Sequence, residues 1–231
     1  MHNPLRTFFD HSRHKLQVHD VDAVLDVLAF DGDEQLSQPF TYRIEFTASD
    51  QDIAAEQMLM RQADFSLHAA PHDLPPIMPW DRGKIIPPLR TLHGVVTGFK
   101  RLSGSHDEAR YEITLQPRLA LLDRGRQFRI YQYQSVPEIV ESILRSRHDF
   151  LGQDFLFKLA REYPRREQVM QYGESDLAFI SRLLAEVGIW FRFTLPLAVG
   201  PRQLWFGRGL AVADAASGGG EKRQFPRLSL P

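Results

Sequence analysis

QYGESDLAFISRLLAEVGIWFRF, residues 171–193, packs a helix start, a helix stop and a strand into one short run. It opens with two carboxylates, Glu174 and Asp176, on either side of Ser175. With Ser175 as N-cap, its side-chain oxygen accepts from an orphan amide of the first turn. The two acids then set negative charge beside the positive end of the helix dipole. The spacing predicts a helix from Asp176 to Val187, with Leu177, Ile180, Leu183, Leu184 and Val187 on one face. Gly188 follows as the residue that turns left-handed and ends it. Beyond it IWFRF alternates, Ile189, Phe191 and Phe193 against Trp190 and Arg192, which is a strand pattern. Arg182 and Glu186 stand one turn apart and pair on the solvated helix face.

The same acids have a chemical reading. Hydrolysis of a cell-wall polymer needs two carboxylates facing each other across about 5 to 9 Å. Residues two apart point to different sides of a helix, so at a helix start Glu174 and Asp176 do not converge. Other enzyme signals are weak. No G-x-S-x-G elbow occurs, and GGG at 218–220 lacks the Lys-Ser or Lys-Thr of a phosphate loop. His11 with His14, and His68 with His72, have suggestive metal-ligand spacing. The first pair lies in a polar stretch and the second straddles Pro71, so both read as surface histidines.

N-terminal to the opening stretch, SVPEIVESIL predicts a second helix. Ser135 and Glu138 have capping-box spacing, Pro137 sits in the first turn, and Ile139, Val140, Ile143 and Leu144 form one apolar stripe. The first half of the chain reads as antiparallel strands: HKLQVHDV, AVLDVLAFDGDE, FTYRIEFTAS, DFSLHAA, HGVVTGFKRL and ARYEITLQP, separated by turn residues. In TYRIEFTA, Tyr42, Ile44 and Phe46 share one face while Arg43, Glu45 and Thr47 share the other. A barrel or sandwich follows. Residues 71–90 hold six prolines, which remove backbone donors, so they read as a long exposed loop, or as a docking segment anchored by Trp80. Residues 214–231 are small, polar and Gly-rich, the composition of a linker or truncated end.

Composition narrows the classes. The 231 residues suffice for one large or two small domains, and 43% hydrophobic with 25% charged residues is ordinary for a soluble folded chain. A net charge of −1 gives no field to draw nucleic acid or an anionic membrane. Cysteine is absent, which excludes thiolate chemistry and disulfides and fits a reducing compartment. No run approaches the roughly 20 apolar residues of a membrane span, and the N-terminus lacks a secretory signal.

Several collinear stretches carry a resemblance: GDEQLSQPFTYRIEF at 32–46, LHGVVTGF at 92–99, YEITLQPRLALLDRGRQFRIYQYQSVPEIVESIL at 111–144, and REYPRREQVMQYGESD running into the opening segment. From about residue 15 to 210 the chain resembles the VgrG family, the spike proteins of bacterial type VI secretion systems. The resemblance implies an α+β, mainly β, fold like a phage tail hub: a β-barrel domain over 1–126 and 189–213, with an inserted α/β segment over 127–188. It implies a structural role in a homotrimer that links a hexameric tail tube of Hcp rings to a puncturing needle and carries effectors or adaptors. Assembly is then expected in the cytoplasm, followed by ejection. No catalytic, cofactor-binding or metal-binding residue is implied. Ser135, Glu138, Glu174, Ser175, Asp176 and Gly188 are expected to define the fold. Two departures stand out, the proline-rich loop and the apolar Ala185 and Val187 where the family commonly carries acids; the chain corresponds to about the first half of a hub. The rival readings are a baseplate hub of a contractile phage, a peptidoglycan hydrolase and an effector-adaptor module.

Overall fold

The computed structural model describes residues 13–69, 87–152, 154–159 and 161–193, with the backbone of 210–214. Residues 71–86 of the proline-rich segment, with Trp80 and His72, lie outside the described residues, as do His11 and the expected linker after Asp214; the last residue of that segment, Arg90, begins a strand. Two compact units divide the chain: Met1–Asp33 with Thr41–Pro117, and Glu34–Phe40 with Arg118–Pro231.

The first unit is a closed barrel of six strands: β1 (Lys15–Val18), β2 (Asp26–Asp33), β3 (Thr41–Ala48), β4 (Gln62–Leu67), β5 (Arg90–Gly104) and β6 (Ala109–Gln116). Their order is β1-β2-β3-β6-β5-β4, every pairing is antiparallel, and β4 closes on β1. These are the six segments expected from alternation. Period-two patterning produces the interior directly: Tyr42, Ile44, Phe46 and Ala48 of β3 and Ala109, Tyr111, Ile113 and Leu115 of β6 are buried. Closure leaves no open edge. The long strand β5 bends through register shifts at Val96/Gly98 and Arg101/Ser103. At Gly94 a Cβ would lie 2.6 Å from the Gln116 carbonyl oxygen, so only glycine lets β5 approach β6 there. A short helix, α1 (Ala55–Met58), joins β3 to β4 and buries Met58. Tyr111 spans the core, stacked between Phe46 and Phe99 at 5.7 and 5.4 Å. Its hydroxyl donates to the Asp50 carbonyl and accepts from the Ile53 amide, so the buried phenol is satisfied.

The second unit holds a 3-10 helix (Arg118–Asp123), β7 (Gln127–Gln134), α2 (Val136–His148), β8 (Phe155–Lys158), β9 (Arg166–Glu174), α3 (Asp176–Glu186), β10 (Ile189–Phe193) and β11 (Leu210–Asp214). β7 and β9 form an antiparallel ribbon; β10, β11 and β8 form a second sheet in that order. Its core is a single cluster in which Val136, Ile139, Val140, Ile143 and Leu144 of α2 meet Phe179, Ile180, Leu183 and Leu184 of α3.

The domain borders differ from the expected ones. Residues 189–193 were expected in the barrel, but β10 pairs with β11, which pairs with β8, and the barrel closes without any of them. The second unit begins at Arg118 rather than 127, because the 3-10 helix buries Leu119 and Leu122 in its core. Glu34–Phe40, lying in sequence between β2 and β3, also belongs to it. The Ser37 amide donates to the Phe191 carbonyl at 2.9 Å, and Phe40 meets Phe193 edge-on at 5.3 Å. An alternating strand pattern announces a strand without announcing its sheet.

Candidate functional site

The expected fold-defining residues collect at the ends of α2 and α3. Ser175 is the N-cap of α3, in extended backbone, and its hydroxyl oxygen accepts from the Ala178 amide at 3.1 Å. The same hydroxyl donates to Asp123 Oδ1 at 2.6 Å, tying the helix start to the 3-10 helix 52 residues earlier. Gly188 has φ +72, and its amide donates to the Ala185 carbonyl, so it performs the left-handed stop.

Asp176 is only 2% exposed. Its Oδ1 accepts from Arg147 at 2.9 Å and from Gln171 at 2.8 Å, and its Oδ2 meets His148 Nε2 at 2.7 Å. A buried carboxylate is costly unless paired and hydrogen-bonded, and this one is both. Arg147 and His148 lie in the last turn of α2, where the Arg147 charge suits the helix dipole; Asp176 lies in the first turn of α3, where negative charge does. One cluster thus joins the C-terminus of one helix to the N-terminus of the next. Gln171 is fully buried and also donates to the Glu174 carbonyl; with both donors committed, its Oε1 has no partner. Tyr131, stacked on Phe179 at 5.5 Å, borders the cluster, and burial pushes its phenol above its ordinary value against the pull of Arg147.

Glu174 turns the other way. Both its oxygens are taken by Arg182, at 2.6 and 3.2 Å. Arg182 also reaches Glu186 at 2.8 Å, as one-turn spacing predicts, and Arg166 of β9 reaches the other Glu186 oxygen at 2.6 Å. Arg166, with Arg182, holds the Glu186 carboxyl below the usual range, and Glu174 raises Arg182. At α2, Glu138 accepts from the Ser135 amide at 2.7 Å and its hydroxyl at 3.0 Å. Those bonds and the Arg165 contact hold the Glu138 carboxyl low.

The structure therefore gives the Glu174 and Asp176 carboxylates separate side-chain partners. Sequence reasoning named the helix starts at Ser135 and Ser175 and the stop of α3 at Gly188 but missed Asp123, Arg147, His148 and Gln171. Only the basic last turn of α2 was legible in advance, as a dipole signal. A second ionisable cluster lies on the barrel, where Asp64 of β4 meets His93 of β5 at 2.6 Å and His19 at 3.2 Å. Burial pushes the Asp64 carboxyl up, but hydrogen bonds from His93 and His19 outweigh it and leave it below its ordinary value. His68 donates its amide to His14, whose ring lies edge-on to Phe30 at 5.2 Å; burial, then Arg13 and His68, lowers His14. Among the described residues no group of three or more His, Asp or Glu side chains is arranged to hold a metal ion.

This node locks the C-terminal end of α2 to the N-terminal end of α3. The family profile described as phage tail baseplate hub (GPD) matches residues 33–223. The chain belongs to the phage tail baseplate hub family. Within it, the type VI secretion system spike protein VgrG4b of Pseudomonas aeruginosa is 32% identical over 207 residues, covering 90% of this chain and 22% of that protein. The E. coli c3393 protein, a component of the type VI secretion system with structural similarity to the T4 tail proteins gp27 and gp5, superposes with a TM-score of 0.74. It is 52% identical and covers 90% of this chain and 51% of its own. The 43 kDa tail protein of prophage MuSo2 from Shewanella oneidensis shares the fold at 10% identity, with a TM-score of 0.53 over 87% of this chain and 53% of its own. The hub family is structural, and this member is homologous to VgrG spike proteins over most of its length. It spans about a fifth of the curated relative and about half of the solved one.

Proposed function

We propose that this chain is the N-terminal hub portion of a type VI secretion spike. It acts by shape: in a homotrimer of the longer protein it seats an Hcp-like hexameric tube on one side and leads to the puncturing needle on the other, with effectors or adaptors as cargo. It assembles in the cytoplasm and is ejected with the spike. It turns over no substrate. The observation that carries this reading is the 52% identity with the E. coli secretion component across 90% of the chain. The build supports it. The barrel has no open edges, the second unit has its helix ends locked by an ion pair, and each is a build suited to bearing load; no helix of the described residues is long and apolar enough to cross a membrane.

The test is assembly. Light scattering on this chain and on the full-length product of its gene should give a monomer and a trimer, and the trimer should bind purified tube rings. A full-length product that stays monomeric and ignores the rings sinks the reading. On peptidoglycan, the chain and its Glu174→Gln and Asp176→Asn variants should all be inert; turnover lost in those variants would instead support a hydrolase. The fold shared with the prophage tail protein keeps a second reading, the baseplate hub of a contractile phage particle. Neighbouring genes separate the two: a sheath-disassembly ATPase points to secretion, capsid and terminase genes to phage.

A further inference from the structure

The ribbon has two faces of opposite use. Tyr131 on β7 and Val169 and Gln171 on β9 point into the second unit, against the helical core. The other face carries Phe128 opposite Tyr172 and Ile130 opposite Met170, followed by Gln132 opposite Gln168. These four apolar side chains are exposed to 65%, 76%, 59% and 49% respectively. Nothing in the unit's own core requires them, since the inward residues already complete it. Large side chains displayed contiguously on a sheet face mark an interaction surface rather than scattered exposure.

The surface is also held ready. Phe128 and Tyr172 meet edge-on at 5.1 Å. Gly173 takes φ +65 where the β7–β9 register shifts, and the place a Cβ would fill lies 3.7 Å from the Phe128 ring; Arg126 donates to the Gly173 carbonyl at 2.8 Å. Across the three residue pairs there is no formal charge, so an occupant that placed an acid or a base there would bury it unpaired.

Area and chain length together select the occupant. Four such side chains offer on the order of 400 to 500 Å², against about 800 Å² per partner for a stable association of separate molecules. A second copy docking by this face alone falls short. A segment tethered in the same polypeptide does not, because its effective concentration replaces area. About half of the homologous E. coli hub chain, which this chain covers to 51%, lies outside the region present here. We propose that the Phe128, Ile130, Met170 and Tyr172 face of the ribbon is the seat of an uncharged apolar face belonging to that remaining half of the hub. The proposal rests on the hub reading given above.

Hydroxyl-radical labelling read by mass spectrometry tests it at side-chain level. In this chain Phe128, Met170 and Tyr172 should label strongly at every protein concentration. In the full-length product of the gene they should label several-fold less. Ile130→Lys, at an exposed position, should leave the melting of this chain unchanged and lower that of the full-length product. Equal labelling in both proteins overturns the proposal, as does an Ile130→Lys variant that melts like wild type in the longer protein. Protection that grows with concentration in this chain alone assigns the face to a second copy and also overturns it. Mass keeps the two readings apart: a trimeric full-length product with a labelled ribbon refutes the docking face and leaves the hub standing.

Discussion

The barrel and the second unit solve the same problem by different means. Among the described residues the four buried polar side chains, Ser135, Gln171, Ser175 and Asp176, all lie in the second unit, and the barrel has none in that class. A closed antiparallel barrel satisfies its backbone through its own ladder, so its interior can be apolar throughout. Each helix leaves about four amides and four carbonyls unmet, and burying helix ends against one another obliges side chains to supply the partners. Stability in the barrel therefore rests on volume and register, and in the second unit on an apolar core together with a few directed bonds. The substitutions below probe that contrast.

The largest loss is expected in the barrel. Phe46 is fully buried and stacked on Tyr111, so Phe46→Ala should cost about 3 to 5 kcal/mol in denaturant unfolding. Hydrogen exchange should show the loss of protection in β3 and β6, while α2 and α3 keep theirs. Equal loss in both units would mean that they unfold together and would break the contrast at its root.

Next comes the ion cluster. Asp176→Ala leaves Arg147 and His148, 16% and 26% exposed as side chains, facing each other without their carboxylate. Removing one partner of a buried pair costs about 3 to 5 kcal/mol, and the partial exposure of these two side chains puts the expected cost at about 3. The exchange pattern should be the mirror of the first, with protection falling in α2 and α3. Ser175→Ala should follow at about 1 kcal/mol for the cap, rising towards about 2 because Asp123 also loses its donor. A Ser175→Ala variant that melts normally but changes an activity on some substrate would contradict the architectural reading.

The contrast also explains what could be read in advance. All six barrel strands were legible because their apolar residues recur every second position, and that period says at once which side is in. Both helices of the second unit were legible from caps and stripes: Ser175, Gly188, Ser135 and Glu138 act over three or four residues, within reach of local pattern. What failed was pairing over distance. IWFRF announced a strand, but its partner Leu210–Asp214 lies beyond an intervening segment and nothing in its alternation names a sheet. Asp176 likewise read as a dipole-favouring acid at a helix start, whereas its burial comes from Arg147 and His148, 29 and 28 residues away. Directed bonds between distant residues leave no periodic trace, so the unit that depends on them is the one whose borders the sequence misplaced.

The smallest effect sharpens the contrast through pH. Glu186 sits on the outer face of α3 between Arg166 and Arg182, and its carboxyl is held below its ordinary value. A depressed carboxyl contributes its stability above the unfolded-state value of about 4.3 and loses it as pH falls through the folded-state value. Glu186→Gln should thus lower stability by only a few tenths of a kcal/mol at neutral pH, and high salt should shrink that further. The gap between variant and wild type should close as melting curves are taken from about pH 5 down to about pH 3, because the wild type becomes neutral there too. A pH-independent gap would assign the effect to packing of the side-chain stem rather than charge. A gap of several kcal/mol would place this surface network on a level with Asp176, and burial, rather than pairing alone, would no longer be what separates a directed bond that holds the second unit together from one that decorates it.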